Sequence, residues 1–159
     1  MNDVEKTIRD YFINLSPENL PISFFIVRKS ILRAITELKP KLHGKVLDLA
    51  CGIMPYKEFL KNESIDEYIG IDLEPTEYHS AVKPDYFWNG KEIPFDNETF
   101  DFVIATEFLE HYFDTSHILN EIKRVLKPGG TFFFTVPSLW TIHEAAHDYH
   151  RFTPYCLEE

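Results

Sequence analysis

Several acidic residues of this chain leave apolar segments at points where a ligand could meet them. Asp48 lies near the end of the run from Lys45 to Leu49, Asp72 closes Tyr68 to Asp72, and Thr106 with Glu107 follows Phe102 to Ala105. A carboxylate accepts several hydrogen bonds at once, which suits sugar hydroxyls or the cationic groups of a ligand. The first exit continues into Ala50-Cys51-Gly52, a small-residue turn where a backbone can approach a ligand closely. Asp residues at such places also cap the helices that follow. The coincidence of polar exits with the small-residue turn favours ligand binding. A phosphate-bearing ligand fits poorly, because the Gly-x-Gly-x-x-Gly pattern is missing and Pro55 removes an N–H donor that a phosphate would use. A nucleoside without phosphates is expected.

The elements that must position these residues follow from hydrophobic spacing. Phe24, Val27, Ile31, Ile35 and Leu38 recur at three- and four-residue steps, so residues 21–39 are expected to form a helix ending before Pro40. Residues 3–14 suggest a shorter helix before it. Apolar runs at Lys45 to Leu49, Tyr68 to Asp72, Phe102 to Ala105 and Thr131 to Val136 read as buried strands. Ile118, Leu119, Ile122, Val125 and Leu126 mark another helix, with Asp114 as its N-cap and Pro128-Gly129-Gly130 as its stop. Strands that are apolar throughout, alternating with amphipathic helices, imply an α/β fold whose mostly parallel sheet is doubly wound. In such sheets ligands bind beyond the carboxyl ends of the strands, where the acidic residues lie.

With 159 residues and 44% apolar content the chain can bury one sizeable core, and a single domain over residues 1–159 is expected. Residues 1–40 would form a helical cover, 41–137 the binding core and 138–159 a loop with the start of a helix. Sixteen basic residues against 26 acidic ones leave a net charge of -10, which repels nucleic acid and anionic membranes and tolerates a cationic ligand. Cys51 and Cys156 are far apart and belong to no CxxC pair, so a reducing, cytoplasmic setting fits best. No leader-like start and no apolar run of spanning length is present in the sequence given.

The motifs in order resemble class I S-adenosylmethionine-dependent methyltransferases, and within them the methyltransferase type 11 group. Val46-Leu47-Asp48-Leu49-Ala50-Cys51-Gly52 is similar to that family's first motif, usually Asp-Leu-Gly-Cys-Gly-x-Gly; Ala50 and Met54 stand where two glycines are usual. The resemblance implies S-adenosyl-L-methionine as cofactor, with S-adenosyl-L-homocysteine as product, in a Rossmann-like domain. It implies cofactor contacts from Asp48, Ala50, Cys51 and Gly52, and from Asp72 as ribose anchor beside Leu73. Asn89 and Gly90 would lie at the adenine, where Asn89 could equally be a turn residue. Thr106 and Glu107 complete the set. Leu109-Glu110-His111 resembles the turn after the fourth motif, and Leu126-Lys127-Pro128-Gly129-Gly130 the turn before the fifth strand.

The remaining chemistry lies in histidines. His143-Glu144-Ala145-Ala146-His147 spells HExxH, a zinc protease pattern that places two histidines one helical turn apart. The next histidine, His150, would lie about 10 Å from His143 along a helix, whereas zinc accepts nitrogens at about 2 Å. No metal is therefore expected, and a zinc hydrolase is only a remote alternative. The segment from Ile142 to Tyr155 resembles instead a loop over the methyl-acceptor side, with Thr153 capping a helix that starts at Pro154. His147, His143 and His111 are the candidate bases for a hydroxyl acceptor, and the family resemblance implies a small-molecule or glycan acceptor. Family members continue with a helix and two more strands, so the fold is expected to look truncated after its fifth strand. Thr131 to Val136 would then be an open edge that a homodimer could cover. A shortened domain that binds the cofactor or a partner without transferring methyl groups is the competing reading.

Overall fold

The computed structural model describes residues 3–73, 82–143 and 146–158. Five strands form one sheet in the order β3-β2-β1-β4-β5: β1 (Gly44–Leu49), β2 (Ile65–Leu73), β3 (Tyr86–Trp88), β4 (Phe100–Thr106) and β5 (Leu126–Thr135). Every neighbouring pair is parallel. The helices are α1 (Asp3–Ile8), α2 (Ile22–Leu38), α3 (Lys57–Leu60), α4 (Thr115–Val125) and α5 (Pro154–Glu158).

Alternation along the strands builds two cores. Leu47, Leu49, Val103 and Ala105 turn to one face and pack with Ile118, Ile122 and Val125 of α4. Val46, Phe102 and Ile104 turn to the other and pack with Ile31, Ile35 and Leu38 of α2 and Leu60 of α3. A strand with both faces covered must be apolar at successive positions, which is why β1 and β4 read as continuous apolar runs. The doubly wound arrangement expected from the sequence is the one observed.

Several boundaries differ from expectation, each for a physical reason. The first helix changes to a π-helix at Arg9–Ile13. The α2 stripe is buried in its C-terminal half, whereas Phe24 is 46% exposed and meets the edge of the Trp140 ring. On α4 Leu119 is 44% exposed, so the buried face is narrower than the apolar spacing suggested. Asp114 does cap α4, accepting from the His117 N–H at 3.0 Å. β3 has no counterpart among the strands expected from the sequence, because with three residues, two of them exposed, it carries too little apolar pattern. Lys127-Pro128-Gly129-Gly130 lies inside β5 rather than before it. The partner of Phe100 is Leu126 and that of Phe102 is Thr131, so these residues bulge out of the ladder. Lys127 uses the bulge to reach Asp101, Nζ to Oδ2 at 2.8 Å, and Asp101 also accepts the Lys45 N–H.

Arg124 on α4 anchors the connection from β3 to β4. Its guanidinium donates to Ile93 O at 2.8 Å, Phe95 O at 2.7 Å and both carboxylate oxygens of Glu121, while Glu121 accepts from the Ile93 N–H. Only a planar fork with several donors satisfies these acceptors together. Arg124→Ala should cost about 2 kcal/mol, because part-buried carbonyls lose their donors. Urea unfolding should show this as a lower midpoint with an unchanged slope.

Candidate functional site

The turn after β1 is held over β2 by two hydrogen bonds and closed by a third within itself. Cys51 N–H donates to Ile71 O at 3.0 Å, Gly52 N–H to Asp72 Oδ2 at 2.6 Å, and Met54 N–H to Cys51 O at 2.7 Å. Three residues of this turn are left-handed: Ala50 at φ 56°, Gly52 at φ 51° and Met54 at φ 49°. Glycine adopts that region freely, whereas a side chain there costs about 1–2 kcal/mol. The turn keeps its shape with alanine and methionine at two of the three places. Beneath it Gly70 is required by close approach, because a Cβ there would lie 2.6 Å from Met54 Sδ and 2.9 Å from Cys51 Sγ.

Around this turn the carboxylates gather. Asp72 is half-buried, and its Oδ1 accepts from the Leu73 N–H at 2.7 Å. Asp48 lies deeper than an exit residue should, 4% exposed beneath the turn, where the Tyr68 hydroxyl donates to Oδ2 at 2.7 Å. Burial pushes the Asp48 carboxyl up to about 7; the Tyr68 hydrogen bond opposes this and the charge of Asp72 adds to it. The same burial, helped by Asp48, raises the Cys51 thiol and removes it as a nucleophile. Asp85, which sequence reasoning passed over, joins the group: its Oδ2 accepts from the Gly70 N–H at 2.8 Å and from Lys57 Nζ at 3.1 Å. Its one signal was an Asp directly before a short apolar run.

Across the exit of β2 lie Leu73, 45% exposed, and Gly90, whose missing side chain leaves room for Leu73 Cδ2 at 3.0 Å from a Cβ position. Asn89 forms the turn there, its Oδ1 accepting from the N–H groups of Lys91 at 2.9 Å and Glu92 at 3.2 Å. The amide oxygen proposed for an adenine is thus already engaged.

A second cluster sits at the exits of β4 and β5. Glu107, left-handed at φ 52°, ties them together by donating its N–H to Thr135 O at 2.9 Å. After it a single 3-10 turn, Leu109–His111, carries Glu110, which is fully buried. Burial pushes the Glu110 carboxyl up to about 8, with Glu107 adding to the effect. The chain beyond β5 returns over this turn: the N–H groups of Tyr149 and His150 both donate to Glu110 O. Asp148 and Arg151 lock that segment as a bidentate pair, which holds the Asp148 carboxyl well below the usual carboxylate range. The HExxH stretch is not helical among the described residues, Glu144 and Ala145 lying outside them. His143 turns inward with its ring 4.7 Å from that of His111, while His147 is exposed. As expected, Thr153 caps α5, its Oγ1 accepting from the Cys156 N–H at 3.3 Å.

A family described as a methyltransferase domain matches residues 47–134, more than half of the chain. The chain belongs to the class I S-adenosylmethionine-dependent methyltransferases. S-adenosyl-L-methionine is the cofactor that this membership brings. Among curated relatives, demethylmenaquinone methyltransferase of Bacillus cytotoxicus is 31% identical over 147 residues, covering 79% of this chain and 60% of its own. Of solved structures, a Pyrococcus horikoshii protein aligns with a TM-score of 0.58 at 24% identity, covering 87% of this chain and 67% of that one. A Mesorhizobium loti S-adenosylmethionine-dependent methyltransferase aligns with a TM-score of 0.55 at 21% identity, covering 67% of this chain and 53% of that one. The chain spans 53–61% of the length of the curated relatives it matches. No helix among the described residues is long and apolar enough to cross a membrane.

For a methyltransferase of this class the first cluster has fitting electrostatics, since three carboxylates around Lys57 favour a cationic ligand over an anionic one. Those charges also set a pH dependence. An acid raised in the folded state costs nothing at low pH, where folded and unfolded forms are both protonated. The cost grows as pH rises from the ordinary 3.8 toward about 7 and is complete above it. Glu110 contributes a slope of the same sign. Thermal unfolding temperatures should therefore fall between pH 5 and pH 8. Asp48→Asn, which keeps an acceptor for Tyr68, should flatten part of that fall when followed by circular dichroism.

Proposed function

We propose that this methyltransferase domain holds S-adenosyl-L-methionine across the exits of β1 and β2 and passes its methyl group to a small apolar molecule beneath the 137–153 segment. The observation that carries the reading is the turn from Ala50 to Met54, bonded through Gly52 to Asp72 within the matched family region. The cofactor supplies a methyl group on a cationic sulfur. Displacement at that carbon depends on alignment more than on proton transfer, so rigid placement is the main task of the protein. Asp72 serves as ribose anchor: a carboxylate accepts several hydrogen bonds at once, and the N–H groups of Gly52 and Leu73 fix its direction at the exit of β2. Ala50, Cys51 and Gly52 bring backbone against the ligand, while Asp48 supplies charge from below. Leu73 and Gly90 offer an apolar edge to the base, and Thr106 and Glu107 border the methionine end.

The acceptor reading rests on exposure. Leu139 is 92% and Ile142 81% exposed on the segment that follows β5. Side chains of this kind favour an apolar acceptor over a glycan, and demethylmenaquinone methyltransferase carries an apolar acceptor in its name. His147 is the base within this proposal, exposed and with Nδ1 3.2 Å from the Tyr149 hydroxyl, whereas His111 and His143 turn inward.

Calorimetry with S-adenosyl-L-methionine and S-adenosyl-L-homocysteine should show binding of both. Asp72→Ala should weaken each by about tenfold or more, since hydrogen bonds to a charged group contribute ~1.5–3 kcal/mol. Failure of the unaltered chain to bind either ligand would refute the proposal. With a hydroxylated apolar acceptor, His147→Ala should slow methyl release by about a hundredfold and leave cofactor affinity unchanged. Undiminished release removes His147 as base, and binding without release on any acceptor marks a non-catalytic binding domain.

A further inference from the structure

Glu110, His111 and His143 bring three ligand atoms, one from each residue, to within 4.8 Å of one another. They arrive from separate elements, two from the turn after β4 and one from the segment after β5. The Glu110 side chain is fully buried, and neither of its oxygens has a hydrogen-bond partner among the described residues. Across this cluster His111 faces it with Nε2 3.7 Å from Oε1, beyond hydrogen-bond reach. Burying a carboxylate with neither a donor nor a full ion pair is costly unless something further occupies the gap.

The two histidines are oriented for that occupant. His111 Nδ1 lies 2.8 Å from the carbonyl oxygen of His147, an acceptor that requires the proton on Nδ1 and leaves Nε2 bare toward Glu110. His143 Nδ1 faces Thr141 O at 3.3 Å and Asp148 Oδ2 at 3.4 Å, which likewise leaves its Nε2 as the electron donor. An imidazole whose outer nitrogen is held by a carbonyl or carboxylate is the usual arrangement around a bound metal. Asp148 is itself fixed by Arg151, whose charge also acts on Glu110 but which donates no hydrogen bond to it.

We propose that Glu110, His111 and His143 form a binding site for a divalent cation that takes nitrogen and oxygen ligands, zinc being the representative ion. At about 2.1 Å from a tetrahedral ion, two donors stand roughly 3.4 Å apart. The Glu110–His111 separation of 3.7 Å already approaches that spacing, and since no two of the three atoms are more than 4.8 Å apart, small side-chain adjustments would bring all of them to an ion. Two nitrogens and one carboxylate leave a position open, as in catalytic rather than structural zinc sites. The three residues follow β4 and β5, beside the segment under which the acceptor is proposed to sit, so an acceptor hydroxyl bound as a further ligand would be polarised there. The site differs from the HExxH reading: it uses His143 but not His147, and its carboxylate is Glu110.

Metal binding can be measured without cofactor or acceptor, so it succeeds or fails apart from the proposed methyl transfer. The full chain, freed of metal by chelator and dialysis, would be titrated with zinc against a chromophoric chelator and with cobalt by visible absorption. One ion per chain is expected, with a cobalt spectrum of low coordination number. Glu110→Gln and His143→Ala should each weaken zinc at least tenfold, by analogy with the losses seen on disturbing metal shells. Circular dichroism checks that both variants fold as the parent does. His147→Ala and His117→Ala, which keep the three donors, should bind as the parent does. No stoichiometric ion in the parent chain overturns the site, as does zinc binding that survives both Glu110→Gln and His143→Ala. Loss of binding in His147→Ala alone would assign the ion to the HExxH pair instead.

Discussion

The crossing of the β1 turn over β2 is the constraint on which the rest of this structure depends. Leu49 pairs with Ile71, so the chain leaving β1 must turn sharply above the next strand to reach α3. Gly70 makes the passage possible by carrying no side chain where Cys51 and Met54 pack. The bond from Gly52 to Asp72 then joins the two strand exits into one rim. Without it the Asp72 carboxylate would lose a donor that fixes its direction, and the left-handed residues at 50 and 54 would lose the contacts that offset their strain.

That rim explains why acidity gathers here. Asp48, Asp72 and Asp85 are close enough for their charges to act on one another, and the fold bears the repulsion by burying one, bonding each to a donor and placing Lys57 among them. Structural economy alone would have put apolar residues at Asp48. Retention of a buried carboxyl whose protonation shifts to about 7 is the kind of local conflict with stability that marks a functional site. The second cluster repeats the pattern at the exits of β4 and β5, where Glu110 is enclosed by a returning segment and that segment is locked by Asp148 and Arg151.

The two clusters lie at one end of the sheet because all five strands are parallel and therefore share a carboxyl end. Glu107 connects them: it follows β4, donates to β5 and acts electrostatically on Glu110. A ligand held at the first cluster and a molecule approaching over the second would meet near this residue. Membership among the class I methyltransferases gives such a meeting a reaction, and the proposed apolar acceptor rests on the exposure of Leu139 and Ile142 after β5.

Much of this was legible in the residues themselves. Apolar runs with no polar alternation announced strands covered on both faces, and Asp48, Gly52 and Asp72 stood at strand ends that a parallel sheet must bring together. Asp114 and Thr153 declared their caps by type and position alone. Other features depended on contacts distant in sequence. A three-residue strand at Tyr86–Trp88 has too little pattern to see, and the bulge in β5 follows from pairing with β4 rather than from Pro128 and the glycines that permit it. Asn89 turned out to spend its oxygen on its own turn. Above all, spacing along the chain linked His143 to His147, whereas folding set His143 against Glu110 and His111 more than thirty positions earlier. Local periodicity decided the elements, because each residue's burial within a helix or strand depends on near neighbours. Tertiary structure decided the second cluster, because a loop without periodicity takes its course from the surface it covers.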